Sequence, residues 1–161
     1  HPTCFEDLVI LNCMYRPGPM DYIATLVRQK HSKKAVKYII PCSEKYLHNT
    51  YGIIVYQEQI MMLSRLIANF DRSESDLLRK ALGKRKMDVL SVLKPRFIEG
   101  GIKNGHKKNA LEKVWNEMEA KGMYAFQKSH AVCYTWLAYQ IAYLKANYPD
   151  EFKQALEKYS D

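Results

Sequence analysis

Five cations fall within eight residues where the chain reads RKALGKRK, from Arg79 to Lys86. Arginine presents two parallel N–H donors to a phosphate and lysine a mobile point charge, so residue types at this density can grip a polyanion. With Asp76, Leu77 and Leu78 in front, the stretch reads as an amphipathic helix. At 100° per residue it carries Leu77, Leu78, Ala81 and Leu82 on one face and Asp76, Arg79, Lys80 and Gly83 on the other. Gly83 is then either a left-handed helix stop or a point where a ligand comes close to the backbone. Arg79, Lys80, Lys84, Arg85 and Lys86 keep two readings: a solvated helix end whose cations complement the dipole, or a triphosphate clamp.

A second polar group, Lys128-Ser129-His130, stands directly before an apolar window from Ala131 to Ala146. Ser129 is placed to cap that helix, and His130 is either a local capping histidine or a polar wall beside a sugar or base. Tyr134, Trp136, Tyr139 and Tyr143 form a stripe that fits a core or a base-stacking platform. Metal chemistry finds no local support: HExxH is absent, and His1, His31, His48, His106 and His130 are scattered without ligand spacing. Asp71, Glu74 and Asp76 are the nearest approach to paired metal carboxylates, and helix caps account for them as well. GxxxxGK[ST] and GxGxxG loops are also missing, which leaves phosphate binding to side chains.

Positioning such groups needs a core, and 161 residues at 47% hydrophobic suffice for one domain. The net charge of +8 favours an anionic partner such as nucleic acid, nucleotide or acidic lipid. Cys4, Cys13, Cys42 and Cys133 lack a CxxC or framework spacing and read as free buried thiols of a reducing cytoplasm. The start His1-Pro2 lacks the pattern of a signal peptide, which suggests a fragment of a longer, cytoplasmic chain. The window from Ala131 to Ala146 is too short and too polar to span a membrane, and it reads as the buried central helix.

Helical spacing and caps predict the rest. Thr3 with Glu6 opens a first helix that stops at Arg16-Pro17-Gly18-Pro19, and Met20 to Lys30 forms a second. His31, Ser32, Lys33, Lys34 and Lys37 make a basic connector to Val36–Ile40, the expected extended segment. Ser43 caps a short helix. Tyr56, Ile60, Leu63, Ile67 and Phe70 form the seam of a long one, with Gln57 and Glu58 off it. Ser73 with Asp76 caps the basic helix, Pro95 kinks or divides the next, and Gly100-Gly101 with Asn104-Gly105 close it. Asn109 caps a helix ended by Gly122, and Phe152, Leu156 and Tyr159 face inward on the last. The expected fold is all-α: a single multi-helix domain around a central apolar helix, with at most one short extended segment.

Four ordered motifs, FEDLVILNCMYRPGPM (5–20), TYGIIVYQEQIMMLSRL (50–66), DLLRKALGKRK (76–86) and YAFQKSHAVCYTWLAYQIAYLKANYP (124–149), resemble the bacterial DNA polymerase III alpha subunit family along essentially the whole chain. This similarity to a C-family replicative polymerase implies a fingers region spanning 1–161, with the palm and its catalytic aspartates upstream of His1. It implies that Arg79 and Lys80 face the triphosphate of an incoming dNTP, with Lys84 as a helper, and that Ser129 and His130 sit near its sugar. Tyr56, Gln57, Gly83 and Lys128 could line the same cleft. Gln127 stands where the resemblance implies Asn. No cofactor is expected on the chain itself, since the palm would hold the Mg ions. Implied partners are dNTP, template-primer DNA, the rest of the alpha subunit and replicase subunits, and no membrane. The rival reading is a helical module that grips nucleic-acid backbone or a protein without handling nucleotide, supported by Arg28, Lys30, Lys33, Lys34 and Lys37.

Overall fold

A computed structural model of the chain describes residues 1–32 and 36–159. Lys33 and Lys34 of the basic connector lie outside the described residues. The helices are α1 (Phe5–Met14), α2 (Ile23–Lys30), α3 (Glu44–Leu47), α4 (Gln57–Ala68), α5 (Arg72–Gly83), α6 (Met87–Lys103), α7 (Lys108–Gly122), α8 (Lys128–Asn147) and α9 (Pro149–Tyr159). Short 3-10 turns occupy Pro19–Tyr22, Pro41–Ser43 and His48–Thr50. The all-α expectation holds: the described residues contain no strand, only an isolated bridge between Tyr56 and Phe126. Val36–Ile40 does not pair as an extended segment.

The larger core is built by α4 to α7 around Ile60, Leu63, Ile67, Leu78, Phe97, Leu111, Trp115 and Met118. Each such side chain, fully buried, contributes about 1.5–3 kcal/mol. Phe97 meets Phe70 edge-on at 6.0 Å and Trp115 at 5.5 Å. A smaller core packs Val9, Ile10, Cys13 and Met14 of α1 with Leu26 and Ala131. The extended residues before α4 connect the two: Ile54 enters the larger core, while Ile53 and Val55 enter the smaller. That alternation is the period-two side-chain pattern of extended backbone.

Several caps differ from expectation. Cys4, not Thr3, precedes α1, and Asp7 rather than Glu6 reaches back, to the Thr3 and Cys4 backbone N–H groups at 2.8 and 3.3 Å. Asp71, not Ser73, caps α5, exchanging bonds with Glu74 at 2.7 and 2.9 Å in a reciprocal box. Ser43 precedes α3 without capping it, its hydroxyl buried and unbonded. Asn109 lies inside α7, which Lys107 precedes.

Pro95 neither divides nor ends α6, because it sits on the exposed face where the Ser91 carbonyl it deprives of a donor can meet water. Gly100 and Gly101 lie within that helix as close approaches. A Cβ on Gly100 would stand 2.2 Å from the Ala68 carbonyl oxygen, so only glycine lets α6 cross the end of α4 there.

The largest departure is α8. Only Ala131 and Thr135 are buried, while Tyr134, Trp136, Leu137, Tyr139, Ile141 and Tyr143 are each about half exposed. Among the described residues α8 rests on α1, through Asn12 to the Thr135 hydroxyl at 3.2 Å, and on α9. Apolarity on every side predicts burial, yet these elements cover one strip. Likewise α9 buries none of its side chains: Leu156 and Tyr159 are exposed and Phe152 is half-buried. Cys4 and Cys133 are exposed free thiols rather than buried ones, and Cys13 is buried. No helix among the described residues is long and apolar enough to cross a membrane.

Candidate nucleotide site

Helix α5 buries Ser75, Leu78, Ala81 and Leu82. Leu77, expected on that face, is 46% exposed because it stands a 100° step off the stripe. The outward row Asp76, Arg79, Lys80 and Gly83 is as expected. Asp76 organises it: Arg79 donates from Nε and Nη2 to one carboxylate oxygen at 2.9 and 2.7 Å, and Lys80 approaches the other at 2.6 Å. The hydrogen bond from Lys80, then that from Arg79, lowers the Asp76 pKa from its ordinary value. Arg79 also donates from Nη1 to the Gln57 side-chain oxygen at 3.2 Å. Two guanidinium N–H groups stay free for a ligand, as do two on the Lys80 ammonium.

Gly83 is the last residue of α5 but not its left-handed stop. Lys86 N–H donates to the Ala81 carbonyl at 2.9 Å and Arg85 N–H to the Leu82 carbonyl at 3.3 Å, closing a Schellman-type end with Arg85 at φ 49° as its left-handed residue. Gly83 is exposed, and an added Cβ would meet nothing within 4 Å. The Arg85 side chain turns onto the Met123 sulfur, and Lys84 stands exposed at the helix end. A ligand at this end meets the unfavourable pole of the helix dipole, so its attraction must come from these side chains.

Gln57 connects α5 to the other motif. Its amide donates to the Ala125 carbonyl at 3.1 Å, and its backbone N–H to the Phe126 carbonyl at 2.9 Å. Phe126 N–H in turn donates to the Val55 carbonyl at 2.9 Å. This ladder sets the start of α8 beside the start of α4. Gln127, not Ser129, is the N-cap of α8, and its side chain makes no capping bond. Lys128 N–H reaches the Glu58 carboxylate at 3.2 Å, and the Lys128 ammonium lies 5.5 Å over the Tyr56 ring. Ser129 and His130 are exposed in the first turn of α8, where backbone N–H groups point outward and favour anions. The His130 ring stands between Phe126 at 5.5 Å and Tyr134 at 4.5 Å.

The structure therefore joins Arg79, Gln57, Tyr56 and Lys128 through one set of contacts that continues by Phe126 to His130. Lys84 and Gly83 lie a turn farther along α5. Burial, then the nearby Cys13, pushes the Tyr56 phenol far up, so it is a neutral donor.

Two contributors escaped the sequence reading. Arg16, read as part of a rigid corner, donates to the Cys13 carbonyl at 2.8 Å and to the Tyr124 carbonyl, and lies 4.8 Å over the Phe126 ring. Gln59 accepts from the Val55 and Tyr56 N–H groups at 2.9 Å and donates to the Tyr46 carbonyl and Thr50 hydroxyl at 2.9 and 2.8 Å. Its signal was available: glutamine three residues after Tyr56 is the far half of a capping box.

Among the described residues no group of three or more His, Cys, Asp or Glu side chains could hold a metal. Asp71 and Glu74 close a cap and Asp76 holds two cations, so these carboxylates do not fit a magnesium pair.

A model of the bacterial DNA polymerase III alpha subunit finger domain matches residues 1–105. Relatives named DNA polymerase III subunit alpha include those of Aquifex aeolicus, 42% identical over 94% of the chain, and Treponema pallidum, 44% identical over 96%. A third, from Halalkalibacterium halodurans, is 43% identical over 96%. The chain spans 13%, 13% and 14% of those proteins' own lengths, respectively.

Proposed function

Since the chain belongs to the bacterial DNA polymerase III alpha subunit finger-domain family, we propose that it grips the incoming dNTP for a replicative DNA polymerase. Arg79 and Lys80 bind the triphosphate through their free donors, Lys84 adds charge, and Gly83 leaves room beside the helix. Ser129 and His130 meet the sugar and help to exclude a 2′-OH, with Tyr56, Gln57 and Lys128 lining the cleft between. The observation that carries this reading is the Arg79–Gln57–Ala125 chain of hydrogen bonds, which fixes the cationic helix against the segment that starts α8.

Catalysis by these residues is positional and electrostatic: charge is neutralised and the α-phosphate is held for in-line attack. Among the described residues no carboxylates converge; in this reading the palm of the complete enzyme would hold its Mg ions, and this chain alone extends no primer. The remainder of the alpha subunit, other replicase subunits and template-primer DNA are the partners, in the cytoplasm.

Titrating the chain with single-stranded DNA at several salt concentrations, with and without dNTP, tests the reading against backbone gripping alone. Displacement of bound dNTP by inorganic triphosphate but not by DNA supports it. A steep salt slope with no dNTP binding contradicts it.

A further inference from the structure

Adjoining the Arg79 site, and sharing Tyr56 and Lys128 with it, lies a cavity of about 190 Å3 lined also by Lys45, Tyr46, His48 and Asn49. Helix α4 offers it Glu58 and Met62, one turn apart, whereas Gln57, about 100° round the helix from Glu58, serves Arg79. The back wall is prebuilt. The four bonds of buried Gln59 fix the Tyr46 carbonyl, the Thr50 hydroxyl and the Tyr56 backbone relative to one another.

The rim carries uncommitted positive charge. The Lys45 ammonium lies over the Tyr46 ring at 5.4 Å and that of Lys128 over Tyr56 at 5.5 Å, which holds both at the walls with their N–H donors open to an anion. Neither lysine nor His48 has a carboxylate partner among the described residues. Glu58, the one acid among the described residues that line the cavity, accepts the Lys128 backbone N–H with both oxygens at 3.2 Å.

We infer that this cavity is a backbone subsite for the single-stranded template, holding one phosphodiester between Lys45, His48 and Lys128. Its volume lies below the ~300 Å3 at which pockets for drug-sized ligands begin and suits a phosphodiester with its sugar. A recess edged by cations and aromatic rings suits a flexible single strand, whose backbone can bend into it. The inference rests on the polymerase reading above.

The test uses the full-length polymerase subunit with Lys45→Ala, His48→Ala and the double substitution. Affinity is measured for a primer–template with a long single-stranded template extension and for the same duplex with a one-nucleotide extension. The double variant is expected to bind the long extension about tenfold more weakly. Lys45→Ala should lower the salt slope by about 0.7, as expected for one lost single-strand phosphate contact. Affinity for the short extension and KM for dNTP stay unchanged, and Asn49→Lys, which adds a cation at the rim, tightens binding to the long extension. Unchanged affinity for the long extension, equal loss on both DNAs, or a raised KM for dNTP at unchanged DNA affinity would overturn the inference. The last result would make the cavity a triphosphate subsite. Arg79→Ala in the same assay separates the two proposals, since an unchanged KM there defeats the nucleotide grip alone.

Discussion

The Arg79 guanidinium is held from two sides, by Asp76 on its own helix and by the Gln57 side-chain oxygen at 3.2 Å on α4. Gln57 in turn donates to the Ala125 carbonyl, so one amide fixes both the cation and the approach to α8. A hydrogen bond from the charged guanidinium contributes about 1.5–3 kcal/mol. Gln57→Ala in the full-length polymerase should therefore raise KM for dNTP roughly tenfold. Steady-state kinetics at saturating template-primer read the effect, and an unaltered KM would mean that Gln57 does not position Arg79 for nucleotide.

Gly83 and Gly100 separate two uses of glycine. An alanine Cβ meets nothing within 4 Å at Gly83 but stands 2.2 Å from the Ala68 carbonyl at Gly100. Gly83→Ala should stabilise the chain by about 0.5 kcal/mol through helix propensity and raise KM for dNTP a few-fold by filling the ligand's approach. Gly100→Ala should destabilise by roughly 2 kcal/mol or more as α6 is pushed off α4. Chemical denaturation and dNTP kinetics on both variants check this. Stabilisation at Gly83 with no kinetic change would show that no ligand comes near it.

Asp7 is buried and carries the fastening between the amino terminus, α2 and the turn at Tyr51. It accepts from Lys30, from Thr3 N–H at 2.8 Å and from the Tyr51 hydroxyl at 2.8 Å. Burial alone would push its carboxyl up, but the hydrogen bonds from Lys30, Thr3, Tyr51 and Cys4 prevail and hold it well below the usual carboxylate range. A group whose pKa is lower folded than unfolded stabilises fully above the unfolded value, about 3.9, and progressively less as pH falls below it. Asp7→Asn should cost about 3 kcal/mol near neutrality and flatten the loss of Tm below about pH 4. Thermal melts from pH 7 to pH 2 measure both, and parallel curves for the two proteins would contradict the assignment.

Gln127 occupies the N-cap of α8 without bonding to the first turn. Asparagine is among the strongest residues at that position, and glutamine is too long to fold back onto its own helix. Gln127→Asn should add about 0.5–1 kcal/mol, a rise of roughly 1–4 °C in Tm for a chain of this size. Calorimetry of the single variant decides it, and a lower Tm would show that the Gln127 backbone cannot accept the cap.

Helical class, the seam of α4 and the outward row of α5 were legible in the sequence because each rests on local periodicity. Caps were legible only to within a residue or two: Ser73 and Asp71 are both good N-caps, but only Asp71 has a glutamate, Glu74, three residues on to close the reciprocal box. The place of α8 was not legible. Its apolar residues signal burial but not by what, and the helices that pack on it most closely, α1 and α9, cover only one strip. Arg16 was missed for a related reason: its bond reaches the Tyr124 carbonyl, far along the chain, which no spacing rule registers. Gln59, by contrast, carried a local signal in its capping-box spacing from Tyr56.

The central claim is that Arg79 holds the triphosphate of an incoming dNTP. Single-turnover incorporation by the full-length polymerase, comparing wild type with Arg79→Ala across dNTP concentration, tests it directly. A charge-assisted hydrogen bond contributes about 1.5–3 kcal/mol, so the efficiency of dNTP incorporation should fall about 10–100-fold with the affinity for template-primer unchanged. Unchanged efficiency, or a loss traced wholly to weaker DNA binding, would contradict the account.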